Sequence, residues 1–160
     1  MSNITRFDLD ETESIYDYYQ EYGYVVIKNA ISSKKINKFI RVYEAIRKNP
    51  LFVYYSQSIH VCTRPKLSSN NFIVESMENA SRLAFFRNFS KSIQSCIYDD
   101  NVVKALTSVS SKMQGGSQFI SWQNMFFDKS IGTIDHQDTW YLDTEPAGNL
   151  IGVWYALEDI

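Results

Sequence analysis

Glycine and proline are scarce in this chain of 160 residues, at six and three, and every glycine except Gly23 falls from Gly115 onward. The first two thirds therefore have few hinges, and backbone freedom is concentrated near the end. Cysteine is scarcer still. Cys62 and Cys96 are the two present, with no CxxC spacing, which excludes a disulfide framework and predicts two reduced thiols in a cytoplasmic protein. No apolar run approaches the roughly 18 residues of a membrane span; the longest, Leu150 to Leu157, is interrupted by Gly152. The opening MSNITRFDLDETES has no basic flank leading into an apolar core, so a secretory signal is not expected. Charge of one sign is also lacking: 16 Lys and Arg against 18 Asp and Glu give a net charge of -2. That excludes a strongly basic nucleic-acid binder and an acidic disordered tail, so neither nucleic acid nor membrane is an expected partner. What the chain does have is apolar and aromatic material, 44% and 15% of its residues, enough for one domain with a real core.

Helical signals dominate up to residue 114. Thr12 to Tyr22 reads as a helix entered from an acidic stretch and stopped by Gly23. Tyr24-Val25-Val26-Ile27 reads as a short strand. Ser32 or Ser33 caps a second helix in which Ile36, Phe39, Ile40, Tyr43 and Ile46 form one apolar stripe, and Pro50 closes it. Residues 51 to 75 read as loop, with a strand near Ser58 to Cys62. Asn79 is a candidate cap for a third helix burying Leu83, Phe86, Ile93 and Ile97, and Val102 to Val109 makes a fourth. From Gly115-Gly116 onward the pattern turns strand-like. Three strands are expected, Gln118 to Asp128, Ile134 to Leu142 and Leu150 to Glu158, separated by turns at Lys129–Gly132 and Glu145–Asn149. Helices first and strands later predict an α+β domain or a helix-decorated β-barrel.

The chemistry concentrates at His136-Gln137-Asp138. On a strand, residues i and i+2 share a face, so an imidazole and a carboxylate would project side by side. Nitrogen plus carboxylate oxygen suits a borderline metal such as ferrous iron, whose oxygenase sites use two histidines and one carboxylate. A merely polar strand face is the competing reading, because short motifs recur by chance. Gln137 points the other way. His60, in Ser58-Ile59-His60-Val61-Cys62, reads as a structural or surface residue.

The flanks decide between these readings. Phe126-Phe127-Asp128-Lys129 precedes the motif, Glu145-Pro146 follows it, and the run Gly152-Val153-Trp154-Tyr155-Ala156-Leu157-Glu158-Asp159 comes next. Together they resemble the phytanoyl-CoA dioxygenase family of non-haem iron enzymes, in which an aromatic-lysine strand end leads to HxD, a Glu-Pro turn and a Trp-x-Ala-Leu-x-Asp strand. Tyr22-Gly23-Tyr24-Val25-Val26-Ile27-Lys28 and the Ser-started helix after it are similar to that family's opening. The resemblance implies a helix-flanked double-stranded β-helix, a cupin-like jelly roll. It also implies Fe(II) as cofactor, 2-oxoglutarate as cosubstrate, O2, and a small organic substrate to be hydroxylated. By resemblance His136 and Asp138 are metal ligands. Gln123 and Phe127 face the pocket with Met125, and Trp140 and Trp154 wall it; packing in the barrel core is the competing role for Met125 and Phe127.

The family's site also needs a distal histidine and a basic residue, usually arginine, that clamps 2-oxoglutarate. Residues 139 to 160 contain no His, Arg or Lys. The expectation is therefore an N-terminal portion of a single dioxygenase domain, 1–114 mostly helical and 115–160 carrying the HxD strands. Such a portion is expected to be inactive alone and to self-associate through open sheet edges. The alternative is a non-catalytic cupin-like module or assembly partner that retains HxD as a relic. A halogenase of the same superfamily is disfavoured by Asp138, because such enzymes carry a small residue there.

Overall fold

The computed structural model describes residues 4–110, 118–129, 138, 142, 144–145 and 147–158. They form two compact units, one from Met1–Lys28, Lys104–Gln118 and Gly132–Ile160, the other from Asn29–Val103 and Phe119–Ile131. Both mix helix and strand, which bears out the α+β class.

In the first unit, β1 (Arg6–Phe7) and β2 (Val26–Ile27) pair in parallel, Arg6 with Val26 and Phe7 with Ile27. The connection between them contains α1 (Thr12–Tyr22), the span expected from sequence. Gly23 ends α1 with φ +74° and donates its N–H to the Tyr19 carbonyl at 2.8 Å. A residue with a Cβ adopts that left-handed conformation only under strain, which is why glycine stands here. Ile15, fully buried, meets Phe7 and Val109 of α4 (Asp100–Ser110), and Tyr18, Tyr19, Val25, Ile27 and Ile151 pack around them.

In the second unit, the Ser32 hydroxyl accepts from Lys35 N–H at 3.4 Å and caps α2 (Ser33–Arg47). This helix buries Phe39, Tyr43 and Ile46 against α3 (Arg87–Ile97). A small antiparallel sheet completes the unit. Its strands are β3 (Tyr54–Tyr55), β4 (Cys62–Thr63), β5 (Met77–Glu78) and β6 (Met125–Phe126). β4 pairs with β3, a single bridge between Ser56 and Met77 joins β3 to β5, and β5 pairs with β6. Phe52, Tyr54, Ser56 and Met77 are buried. Phe126 lies 5.4 Å from Phe39 and 4.8 Å from Tyr43, ring centre to ring centre, and meets Phe89 edge-on. Such tilted and edge-on pairs add to the area each ring buries.

Several expectations need correction. The third helix is split. Asn79, at φ +49°, starts a 3₁₀ turn at Ala80–Arg82, Leu83 is extended, and α3 begins at Arg87. Its buried face is Phe89, Ile93 and Cys96, with Leu83, Phe86 and Ile97 half-buried. The long strand expected over 118–128 shrinks to Met125–Phe126. Leu150 to Glu158 has neither helix nor strand. A strand exists only where neighbouring backbones exchange N–H and C=O groups in a ladder, and none of the ladders among the described residues includes that stretch. Of the expected strand 134–142, only residues 138 and 142 are described, and the rest lies outside the described residues. Among the described residues the strands are two residues long and no barrel closes.

Candidate metal centre

His136, the first expected ligand, lies outside the described residues, as does Trp140. Asp138 is exposed, and its backbone carbonyl accepts from Leu142 N–H at 2.8 Å. The relation of His136 to Asp138, expected on one strand face, lies outside the described residues. Among the described residues no group of three His, Cys, Asp or Glu side chains stands together at metal-binding spacing.

The strand before the motif sorts its side chains by parity. Asn124 and Phe126 point to the helices: Phe126 enters the aromatic cluster, and the Asn124 amide donates to Ser81 Oγ at 2.7 Å. The Asn124 carbonyl and side-chain oxygen accept from the N–H groups of Asn79 and Ser81, at 2.7 and 3.2 Å. Gln123 and Met125 are exposed on the other face, and Phe127 is half-buried. Met125 stands opposite Glu78 across the ladder. Trp154, the other expected pocket residue, is 69% exposed. His60 is exposed at φ +54°, in the turn between β3 and β4.

Sequence reasoning missed two polar placements here. The Asp128 carboxylate accepts from Ile73 N–H at 2.6 Å and so fixes the loop before β5 to the end of β6. Close by, the Tyr43 hydroxyl is buried without a hydrogen-bond partner among the described residues. Burial pushes its pKa well above the usual phenol range, and the Asp128 carboxylate adds to the rise without reaching good hydrogen-bond geometry. No local pattern announces either, because each joins residues far apart in the chain.

A family model of phytanoyl-CoA dioxygenase matches residues 19–160. The chain belongs to the phytanoyl-CoA dioxygenase family. This is a family of oxygenases, and the match takes in β2, both helices of the second unit, its sheet and the His136-Gln137-Asp138 motif. No curated protein and no solved structure matches the chain. The dioxygenase family generally uses Fe(II) and 2-oxoglutarate. The donors present, one imidazole nitrogen and one carboxylate oxygen, are of the kind that ferrous iron takes, and they amount to two of the three such a site needs. No described helix is long and apolar enough to cross a membrane.

Proposed function

We propose that the chain is the metal-binding part of an Fe(II)- and 2-oxoglutarate-dependent dioxygenase that hydroxylates a small organic substrate. His136 and Asp138 are two of its iron ligands in this reading. The supporting observation is that the motif falls inside the family match, followed by the Trp154-Tyr155-Ala156-Leu157 run. When bound, the iron would activate O2, the oxidant, so that one of its oxygen atoms enters a substrate C–H bond and the other enters the succinate formed with CO2 from 2-oxoglutarate. The chain's own part is to bind and to orient. His136 must be neutral and Asp138 ionised to donate electron pairs, and the carboxylate offsets part of the ion's charge.

In this reading Gln123 would bring an amide that can both donate and accept, and Phe127, Trp140 and Trp154 would bring apolar side chains to the pocket. The ladders β3-β4 and β5-β6, the second of which places Phe126 against α2 and α3, are read as the beginning of the family's jelly roll. Residues 139–160 contain neither a third histidine nor a basic residue, so in this reading neither the third ligand nor the clamp is among them. The free thiols, one of them exposed, fit a reducing compartment, and we place the protein in the cytoplasm.

The test is Co(II) titration, followed by visible absorption, alongside succinate release from the full-length gene product with Fe(II), ascorbate and 2-oxoglutarate. His136→Ala and Asp138→Ala are each expected to abolish both signals. Metal binding unchanged in either variant would remove that residue from the site.

A further inference from the structure

The exposed side of α2 carries Lys34, Lys38 and Arg41, at spacings that place them along one face of the helix. They border a groove that continues past Val42 and Ala45 to Phe85, Phe86 and Arg87. The groove has an apolar floor and a basic rim. Phe85 is 96% exposed at its edge, and none of Lys34, Lys38, Arg41 and Arg87 forms an ion pair among the described residues.

The same chain carries the complement. On α1, Glu13, Asp17 and Glu21 recur every four residues and are exposed. None pairs with a cation among the described residues, and Glu21 contacts the Tyr22 hydroxyl instead. Tyr22 and Tyr24, 54% and 49% exposed, follow this row. Four residues of helix advance about 6 Å and three about 4.5 Å, so the acidic row, spaced four and four, is similar in length to the basic row, spaced four and three.

We propose that the groove beside α2 receives α1 of a second copy of this chain. The acidic row of one copy meets Lys34, Lys38 and Arg41 of the other, and its tyrosines meet Phe85 and the two arginines of the rim. Each exposed ion pair contributes little by itself. A row of them beside buried aromatic surface, with arginine over aromatic rings, fixes register and partner choice. Charge of both signs on separate helices favours a copy over an unrelated anionic surface, because one sequence supplies both halves.

Sedimentation equilibrium of the 160-residue chain tests this. Wild type is expected to associate at about 50 mM salt and to weaken at about 500 mM, as screening requires. Lys38→Glu with Arg41→Glu, and separately Glu13→Lys with Asp17→Lys, should each weaken association about tenfold, the scale of a few exposed pairs reversed. Mixing the two charge-reversed variants should restore it as a heterodimer. All these positions are exposed, and circular dichroism confirms that each variant folds. A chain that is monomeric at every salt concentration overturns the proposal, including one that co-sediments with phosphatidylserine vesicles through the same lysines and arginines. So does association that neither salt nor charge reversal changes, which would point to open sheet edges instead.

Discussion

Lys35 donates a hydrogen bond from Nζ to the buried carboxylate of Asp99, and the other Asp99 oxygen accepts from Asn101 N–H at 2.9 Å. One carboxylate thus caps the start of α4 and holds the first turn of α2.

Burial works to raise the Asp99 pKa, but Lys35 and the backbone N–H groups of Asn101 and Val102 outweigh it and hold the carboxyl below its ordinary value. A carboxyl depressed in the folded state contributes stability above its unfolded pKa and loses it as pH falls through the folded value. Asp99→Ala is expected to cost about 2 kcal/mol near pH 7, the loss of a cap plus a charge-assisted bond. That cost should shrink below about pH 4, where Asp99 of the unfolded chain begins to protonate while the folded carboxyl still resists it. Urea unfolding of both proteins at pH 7 and pH 3 measures it; an equal cost at both values would show that the pair adds nothing.

Tyr43→Phe is expected to leave stability unchanged or to raise it by up to about 1 kcal/mol. The ring, packed against Phe39, Phe89 and Phe126, stays in place, while a buried hydroxyl without a partner is removed. A loss above about 1 kcal/mol in denaturant unfolding would mean that the hydroxyl is satisfied in solution.

The two thiols should separate cleanly in a disulfide-exchange assay. Cys62 is exposed and reacts at once. Cys96 is buried on α3 with its pKa raised by burial, so less of the reactive thiolate is present. Rapid reaction of both in the native protein would place Cys96 at the surface.

Residues 1–160 alone are expected to bind iron weakly and to release no succinate, because an imidazole and a carboxylate complete two of three positions of a facial site. Succinate formation equal to that of the full-length protein, and abolished by His136→Ala, would show the site to be complete without a further segment.

Local signals in the sequence carried the helices well. Gly23, Ser32 and Pro50 act through the geometry of a few neighbouring residues, and they bound α1 and α2 where expected. Signals failed where a distant partner decides. Asn79 binds Asn124 across the unit, which ends the run before Leu83 can join a helix and shifts the buried stripe to Phe89. In Leu51-Phe52-Val53-Tyr54-Tyr55-Ser56 both parities are largely apolar, so the alternation that buries Phe52, Tyr54 and Ser56 was hidden. The candidate site was legible as a motif, because His136 and Asp138 are chemically distinctive and their flanks are specific. Its geometry is a question of distant partners, and His136 lies outside the described residues.

The two units differ in how early they can be built as the chain is synthesised. Most of the unit with the aromatic cluster comes from one unbroken stretch, Asn29–Val103. Phe7 and Ile15, in contrast, leave the ribosome long before Val109 and Ile151 exist to meet them. Until then Phe7 and Ile15, which the finished fold buries, lack those two partners. Phe7 and Ile15 are thus sealed well after they are made, which gives a chaperone a long opportunity to bind there.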